Sequence, residues 1–360
     1  MTTLVTGATG FVGSQVVDQL LARGKPVRAL VRDPGKAEGL RARGVEVVGG
    51  DVRDPSTLDP AVRGAGVVHH CAAAVGPHFS KREIYDTNLG GVRNVLEAMR
   101  RAGAGRMVLL SSVNVLGTRD LDPATEETPC RPSSDPAADV KIEAEQLALT
   151  YRRQHGVDVT ILRPGFIYGP GDPHNVPKLI RAIERGKFAF IGSRDNVVPI
   201  VHVRDVAAAM LLAAGTPAAS GQVYNLTDGS RTTAGEFVDH LAELLGRPRP
   251  QRVLPYALPY LACLVFGALN RLGLTRRQGP VTRAALRFLG TSRYVDIRKA
   301  RQELGYEPRV RLREGLAETI RQLRKEQPHG TSNAAVAAAR GAEGAGGGDG
   351  PKALGRAETF

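Results

Sequence analysis

The sequence is poor in cysteine, which limits the chemistry it can carry. Its three cysteines, Cys71, Cys130 and Cys263, lie far apart and follow no metal-ligand spacing. We therefore expect structural thiols, with neither a disulfide framework nor a metal site. Such sparing use of cysteine is typical of a reducing compartment, so we predict a cytoplasmic protein.

Long hydrophobic runs are also missing. The N-terminal residues do not resemble a secretory signal, and no charge-free stretch is long enough to span a bilayer. The chain nevertheless has 360 residues, of which 42% are hydrophobic. That is enough for one large domain or for a nucleotide-binding domain with a smaller lobe. The composition is typical of a soluble enzyme of the α/β class.

A glycine-rich segment lies close to the N-terminus. It follows the apolar run 3–6 and precedes a helical pattern and a second apolar run, 27–31. Glycines let the backbone approach a pyrophosphate, whose charge the free N–H groups at the start of the helix can hold. This strand–turn–helix–strand context predicts a dinucleotide site. The predicted contacts are Gly7, Thr9, Gly10, Phe11, Val12 and Gly13.

The ends of the second and third strands bear on the choice of cofactor. An NAD enzyme would carry an acid after the second strand, but this chain has Arg32. A guanidinium there can bind a 2′-phosphate, so NADP(H) is favoured, while the neighbouring Asp33 leaves NAD(H) open. Asp51 and Val52 close the third strand, and we expect Asp51 to accept a hydrogen bond from the adenine amine.

Apolar runs alternate with helical patterns through the first half of the chain. The runs lie near 45–48, 65–68, 106–110 and 158–162, and the helices near 81–102 and 137–154. This alternation predicts an α/β fold with a doubly wound parallel sheet, the Rossmann arrangement.

The second half of the chain is more mixed. We expect a core over 1–165, a smaller substrate lobe with returning core elements over 166–326, and a disordered Gly- and Ala-rich tail over 327–360. The lobe should cover the carboxyl ends of the strands, where open α/β sheets bind ligands. Its predicted helices lie near 175–185, 203–214, 233–245, 281–289 and 313–324.

Several motifs occur in an order and spacing that point to one family. They are His70-Cys71-Ala72-Ala73, Asn88-Leu89-Gly90-Gly91, Ser111 to Gly117, Leu162 to Asp172, Val201 to Val206, Tyr224 to Thr227 and Lys299 to Pro308. With the glycine segment, they resemble an extended short-chain dehydrogenase/reductase of the NAD(P)-dependent epimerase/dehydratase group. Within that group, the chain is most similar to the 3β-hydroxysteroid dehydrogenase and dihydroflavonol reductase branch.

The resemblance implies roles for individual residues. Ser112 would orient a substrate carbonyl, Lys141 would hold the nicotinamide ribose, and Asn88 would support the helix near Lys141. The family's proton-donating tyrosine, however, corresponds to Ala137 in this chain. Further cofactor contacts are implied at Cys71, Ala72, Ala73 and Pro164.

Ala137 leaves the proton source open. Positions 137 and 141 lie one turn apart on a helix, so both should face the cofactor. A water held by Lys141 and Ser112 could fill the gap. Other candidates are Tyr85, Tyr168, His78 and Asp135.

The region from 253 to 313 carries a second pattern. No charged residue occurs in 253–269, whereas 271–313 holds twelve Lys and Arg against three Asp and Glu. Either this region caps a substrate pocket or it touches an anionic membrane surface as a peripheral contact. Nucleic acid is not expected, because the basic residues lack a binding motif and interleaved aromatic residues are few.

Three functions remain open from the sequence. The first is an NADP(H)-dependent oxidoreductase acting on a hydrophobic, steroid- or lipid-like alcohol or ketone. The second is a catalytically degenerate nucleotide-binding sensor or scaffold, and the third is a nucleotide-sugar epimerase or dehydratase. The resemblance also implies a homodimer formed by the helices near 81–102 and 137–154.

Overall fold

The structure is a computed structural model that describes residues 1–76, 79–133, 135–271 and 290–326. In chain order, the strands are β1 (Thr2–Thr6), β2 (Val27–Val31), β3 (Glu46–Gly49), β4 (Ala65–His70), β5 (Arg106–Leu110), β6 (Leu121–Ala124), β7 (Val159–Pro164), β8 (Phe166–Tyr168), β9 (Phe190–Ile191), β10 (Ile200–His202), β11 (Val223–Leu226), β12 (Val253–Leu254) and β13 (Arg293–Val295).

Helices cover both faces of the sheet and build the second half of the chain. They are α1 (Phe11–Ala22), α2 (Glu38–Arg41), α3 (Asp59–Val62), α4 (Lys81–Tyr85), α5 (Gly91–Ala102), α6 (Pro136–His155), α7 (Asn175–Glu184), α8 (Val203–Gly215), α9 (Ala234–Leu244), α10 (Ala257–Arg271), α11 (Arg298–Leu304) and α12 (Leu312–Glu326).

The central sheet has seven parallel strands in the order β11-β7-β5-β4-β1-β2-β3. From β1 the chain moves outward to β3, then returns to build β4 and β5 on the other side. The direction of winding therefore reverses between β1 and β4, and the crevice at their carboxyl ends is where such sheets bind ligands. The predicted doubly wound α/β fold is confirmed.

Two apolar layers explain why the sheet is stable. On one face, Val16 and Val17 of α1 pack with Val206 and Met210 of α8. On the other face, the apolar sides of α5 and α6 are buried against the sheet. All six residues of β7 are buried. Such complete burial, which here includes the polar Thr160 and Arg163, is expected of a parallel strand covered on both faces.

The second half of the chain divides between two cores. Residues of α7, α9 and α12 surround Tyr168 and Phe237 in a separate apolar cluster. By contrast, β11, α8 and α11 return to the sheet and its core. This arrangement is in keeping with a lobe that contains returning core elements, although the boundary at residue 165 stays a prediction.

Several elements differ from the sequence-based expectations. The single helix expected near 81–102 consists of α4 and α5, separated by a π-helical turn over Asp86–Gly90. Two-residue strands such as β9 were too short to predict. The helix expected near 281–289 and the tail 327–360 lie outside the described residues.

Candidate active site

The glycine turn after β1 is closely packed against the loop that follows β4. A Cβ atom at Gly7, where φ is 68°, would lie 2.8 Å from the backbone nitrogen of Ala72. A Cβ at Gly13 would lie 2.1 Å from the carbonyl oxygen of Gly7. Both positions therefore require glycine, and the fold brings the predicted segments Gly7–Gly13 and Cys71–Ala73 together.

The start of α1 suits an anion. Gly10 is its N-cap residue, no side chain caps it, and the first turn contains no acidic residue. The first N–H groups of a helix have no partner within the helix, and the helix dipole places partial positive charge there. Thr9 and Gly10 are exposed at this point. The turn fits the pyrophosphate of a dinucleotide.

The ends of β2 and β3 carry two cationic side chains. Arg32 is exposed, and Asp33 caps the turn after it by accepting a hydrogen bond from the Gly35 N–H. Asp51 binds Arg53 through Oδ2 and Nη2 at 2.6 Å. The Arg53 hydrogen bonds lower the pKa of Asp51, and the nearby charge of Arg32 acts in the same direction. Asp51 is thus engaged by Arg53, and its expected contact with adenine stays a prediction.

Two other predicted cofactor contacts are Val52 and Pro164. Val52 is buried and lies beneath Gly91, where an added Cβ would come within 2.8 Å of the Val52 side chain. Pro164 is the last residue of β7, at the carboxyl edge of the sheet.

Lys141 is placed by α6 at the carboxyl end of β5. Its Nζ donates a hydrogen bond to the carbonyl oxygen of Leu110 at 2.9 Å. Burial lowers the pKa of this ammonium group to about 8, although Glu145 opposes the shift. Lys141, His70, Asn88 and Ser111 line a small cavity with room for about one water molecule.

His70 faces this cavity as a neutral side chain. Its Nδ1 shares a hydrogen bond of 3.1 Å with the Thr6 hydroxyl, while Nε2 is buried and has no hydrogen-bond partner. Burial lowers the pKa of His70 to about 4, and the charge of Lys141 contributes. A neutral imidazole can donate or accept one more hydrogen bond here, but it carries no charge near pH 7.

Ser112 follows β5, and it is its neighbour Ser111 that lines the cavity. The Ser112 Oγ accepts a hydrogen bond from the Asn114 N–H at 3.2 Å and caps the 3₁₀ turn over Val113–Leu116. The side chain is only partly buried. The hydroxyl hydrogen is not used by the cap, so Ser112 can still donate to a substrate oxygen.

Asn88 is bound to the loop after β4. Its amide accepts from the Ala74 N–H at 2.7 Å and donates to the Ala74 carbonyl oxygen at 3.1 Å. Asn88 also lines the cavity beside Lys141. Its expected support for the helix that carries Lys141 stays a prediction.

A buried ionic network beneath Lys141 was not predicted. Glu145 accepts from Arg163 in a bidentate pair, with one N–O distance of 2.6 Å, and from the Ser111 hydroxyl. The two charged side chains are 3% and 5% exposed. The spacing from Lys141 to Glu145, one helical turn, is the sequence signal that could have indicated it.

Ala137 lies in apolar surroundings. It packs against a small cluster that contains Ala74, Ile84 and Val140. The Ala137 N–H donates to Asp135, whose side chain caps the start of α6. Burial raises the pKa of Asp135.

Two tyrosines considered as replacement proton donors point elsewhere. Tyr168 is completely buried in the core of the lobe, against His202 and Phe237. Tyr85 donates its hydroxyl hydrogen to Glu143 at 3.0 Å. Glu143 is two residues from Lys141 and so lies on a different side of α6. His78 lies outside the described residues.

Comparison with known proteins identifies the family. Residues 3–227 match the model of the NAD dependent epimerase/dehydratase family. "Sterol demethylase protein B" of Methylococcus capsulatus is 34% identical over 315 residues, which is 86% of this chain and 94% of the relative. A farnesyl-dihydroquinoline-oxide ketoreductase of Stigmatella aurantiaca is 34% identical over 88% of this chain and 95% of its own.

A solved structure supports the same assignment. UDP-glucose 4-epimerase of Thermotoga maritima, solved with UDP-glucose, has a TM-score of 0.73 and 27% identity. The match covers 91% of this chain and 100% of the epimerase chain. By its family match, its relatives and its sheet, this chain belongs to the NAD dependent epimerase/dehydratase family.

Proposed function

We propose that the chain is an NADP(H)-dependent oxidoreductase that acts on a hydrophobic, sterol- or lipid-like alcohol or ketone. The observation that carries the proposal is the partly buried Lys141 at the carboxyl end of β5, which only β4 separates from β1 and its glycine turn. The names of the sterol demethylase protein and the ketoreductase among its relatives support the substrate class.

A bound dinucleotide would supply or accept the hydride. The residues that would hold it are the glycine turn, the segment Cys71–Ala73, Arg32 and Lys141. The Ser112 hydroxyl would donate to the carbonyl oxygen of a ketone. As hydride reaches the carbonyl carbon, that oxygen takes a proton, which we assign to the Lys141 ammonium acting through a water molecule.

The proposed proton source predicts opposite pH dependences for the two directions. Lys141 loses its proton as the pH rises through about 8. The single-turnover rate of ketone reduction should therefore fall above that pH, and the rate of alcohol oxidation should rise. The measurement is NADPH oxidation, or NADP⁺ reduction, with a panel of steroid and other hydrophobic substrates.

Lys141→Met provides the control, because it removes the charge and keeps much of the side-chain length. The rate of this variant should be at least about 10²-fold lower, and the change of rate near pH 8 should be absent. A wild-type protein without turnover on any ketone of the panel would contradict the proposed reaction. A step that persists in Lys141→Met would contradict the role of Lys141.

The choice of cofactor predicts a selective effect at Arg32. Arg32→Ser should weaken NADPH binding by about 10- to 100-fold, because a charge-assisted hydrogen bond to the 2′-phosphate is lost. Binding of NADH, which lacks that phosphate, should stay within about twofold. Fluorescence titration of both nucleotides measures this. Arg63→Ser removes an exposed arginine elsewhere and is the matched control; equal losses for both nucleotides at Arg32 would argue against NADP(H) preference.

A nucleotide-binding sensor or scaffold is the second candidate function. Ala137 favours it, because an alanine at the position of the family's tyrosine has no proton to donate. A sensor would bind NADPH with wild-type affinity and fail in single turnover with every substrate. The Lys141 pH test therefore separates the two functions.

A further inference from the structure

An exposed apolar stripe runs along α10 and the strand before it. Among the described residues, nine large hydrophobic side chains are exposed, and five of them lie between positions 253 and 265. Leu258 and Leu261 are 59% and 58% exposed, and Val265 is 50% exposed. Positions 258, 261 and 265 share one side of a helix, so these side chains form a continuous stripe.

The charge around this stripe has one sign. From residue 244 to residue 295 the sequence has nine arginines and no acidic residue. Arg247 and Arg252, just before β12, are exposed. An apolar face with exposed arginines beside it in the sequence complements a surface with an apolar interior and anionic groups above it.

Two aromatic side chains lie at the start of the stripe. The rings of Tyr256 and Tyr260 stack with their centroids 5.9 Å apart. Tyrosines prefer the level of lipid headgroups, where the ring is apolar and the hydroxyl is hydrated. No helix among the described residues is long and apolar enough to cross a membrane. The stripe is therefore suited to contact at the surface of a bilayer.

We propose that α10 docks the protein on an anionic lipid bilayer. The leucines enter the acyl boundary, the tyrosines lie among the headgroups, and the arginines bind the anionic lipids. This contact is independent of the proposed reaction, since it rests on side chains outside the candidate active site.

Co-sedimentation with vesicles tests the docking. The full-length protein should pellet with vesicles containing phosphatidylglycerol at low ionic strength, and at least about tenfold less with phosphatidylcholine alone. The bound fraction should also fall strongly in about 1 M salt, where charges are screened within about 3 Å. The double variant Leu258→Ser/Leu261→Ser should bind at least about tenfold less, because it lacks the two leucine side chains that the bilayer would bury.

Leu212→Ser is the matched control, because Leu212 is an exposed leucine of α8, away from the stripe. It should pellet like the wild type. NADPH titration of every variant reports whether the dinucleotide domain is folded, without requiring turnover. Failure of the wild type to pellet, or unchanged pelleting of the double variant, would overturn the proposal. So would a wild-type dimer, measured by sedimentation, that the double variant converts to a single chain, because a second copy would then cover the stripe.

Discussion

Ala137→Tyr should raise the single-turnover rate of ketone reduction by about 10²–10⁴-fold. A phenol at this position lies one helical turn from Lys141, whose positive charge would lower the phenol pKa toward working pH. The wild type would have to bring its proton from the lysine through a water, a longer route. The measurement is NADPH oxidation with the best ketone of the panel, at saturating nucleotide.

Ala137→Phe is the control for this gain. It adds the same ring to the apolar cluster of Ala74, Ile84 and Val140 without the hydroxyl. Its rate should stay at or below the wild-type rate, so that any gain in Ala137→Tyr belongs to the proton donor. An equal gain in both variants would mean that packing, not proton transfer, limits the reaction. No gain in either would place the proton source elsewhere.

The rate of the wild type in the same experiment also separates the two proposed functions. If the wild type turns over slowly and the tyrosine variant quickly, the chain is an enzyme with a weaker proton source. If the wild type does not turn over and the tyrosine variant does, the chain is a nucleotide-binding protein that lacks catalysis because the tyrosine is missing. NADPH affinity should be similar in both cases, because Ala137 is not among the predicted nucleotide contacts.

Glu145→Ala should lower the free energy of unfolding by about 3–5 kcal/mol. Glu145 and Arg163 are both almost completely buried, and their bidentate pair also binds the Ser111 hydroxyl. Removing the carboxylate leaves the Arg163 guanidinium buried without its counter-charge. Urea unfolding followed by circular dichroism measures the change.

Two variants make this prediction specific. Glu97→Ala removes an ion pair with Arg100 that is partly exposed, and should cost less than about 1 kcal/mol. Glu145→Leu/Arg163→Met removes both charges, and should be more stable than Glu145→Ala because no charge is left unpaired. If Glu145→Ala costs no more than Glu97→Ala, the buried pair does not contribute as described.

Glu145 also acts on the candidate site. Its negative charge raises the pKa of Lys141, against the larger effect of burial. In Glu145→Ala, the step in the pH profile of ketone reduction should therefore move below its wild-type position. A merely structural role for Glu145 would lower the amount of folded protein without moving this step.

The sequence alone was sufficient to predict the parallel sheet and the glycine turn after its first strand. The strands β2, β5 and β7 are mainly apolar because both faces of a parallel strand are buried, and this burial leaves a readable pattern. The requirement for glycine at Gly13 likewise has a local cause, namely the backbone of Gly7, whereas an added Cβ at Gly7 would clash with Cys71 and Ala72 of the loop after β4. Ser112 and Lys141 could be placed near the crevice because each follows or faces a predicted strand end.

Tertiary structure decided what the polar side chains of the site contact. Asn88 binds both backbone groups of Ala74 in the loop after β4, and no pattern along the sequence pairs these two residues. Two of the candidate proton donors could be located only in three dimensions, since Tyr85 binds Glu143 and Tyr168 is buried in the core of the lobe.

The sequence by itself determined the doubly wound sheet, the glycine turn and the alanine at position 137, because each depends on local residue types and their periodicity. Only the folded chain decided that Glu145 pairs with Arg163, and that burial beside them lowers the pKa of Lys141. The physical reason is that burial and charge pairing join residues on different strands and helices, and such distances are set by packing and leave little trace in a pattern along one chain.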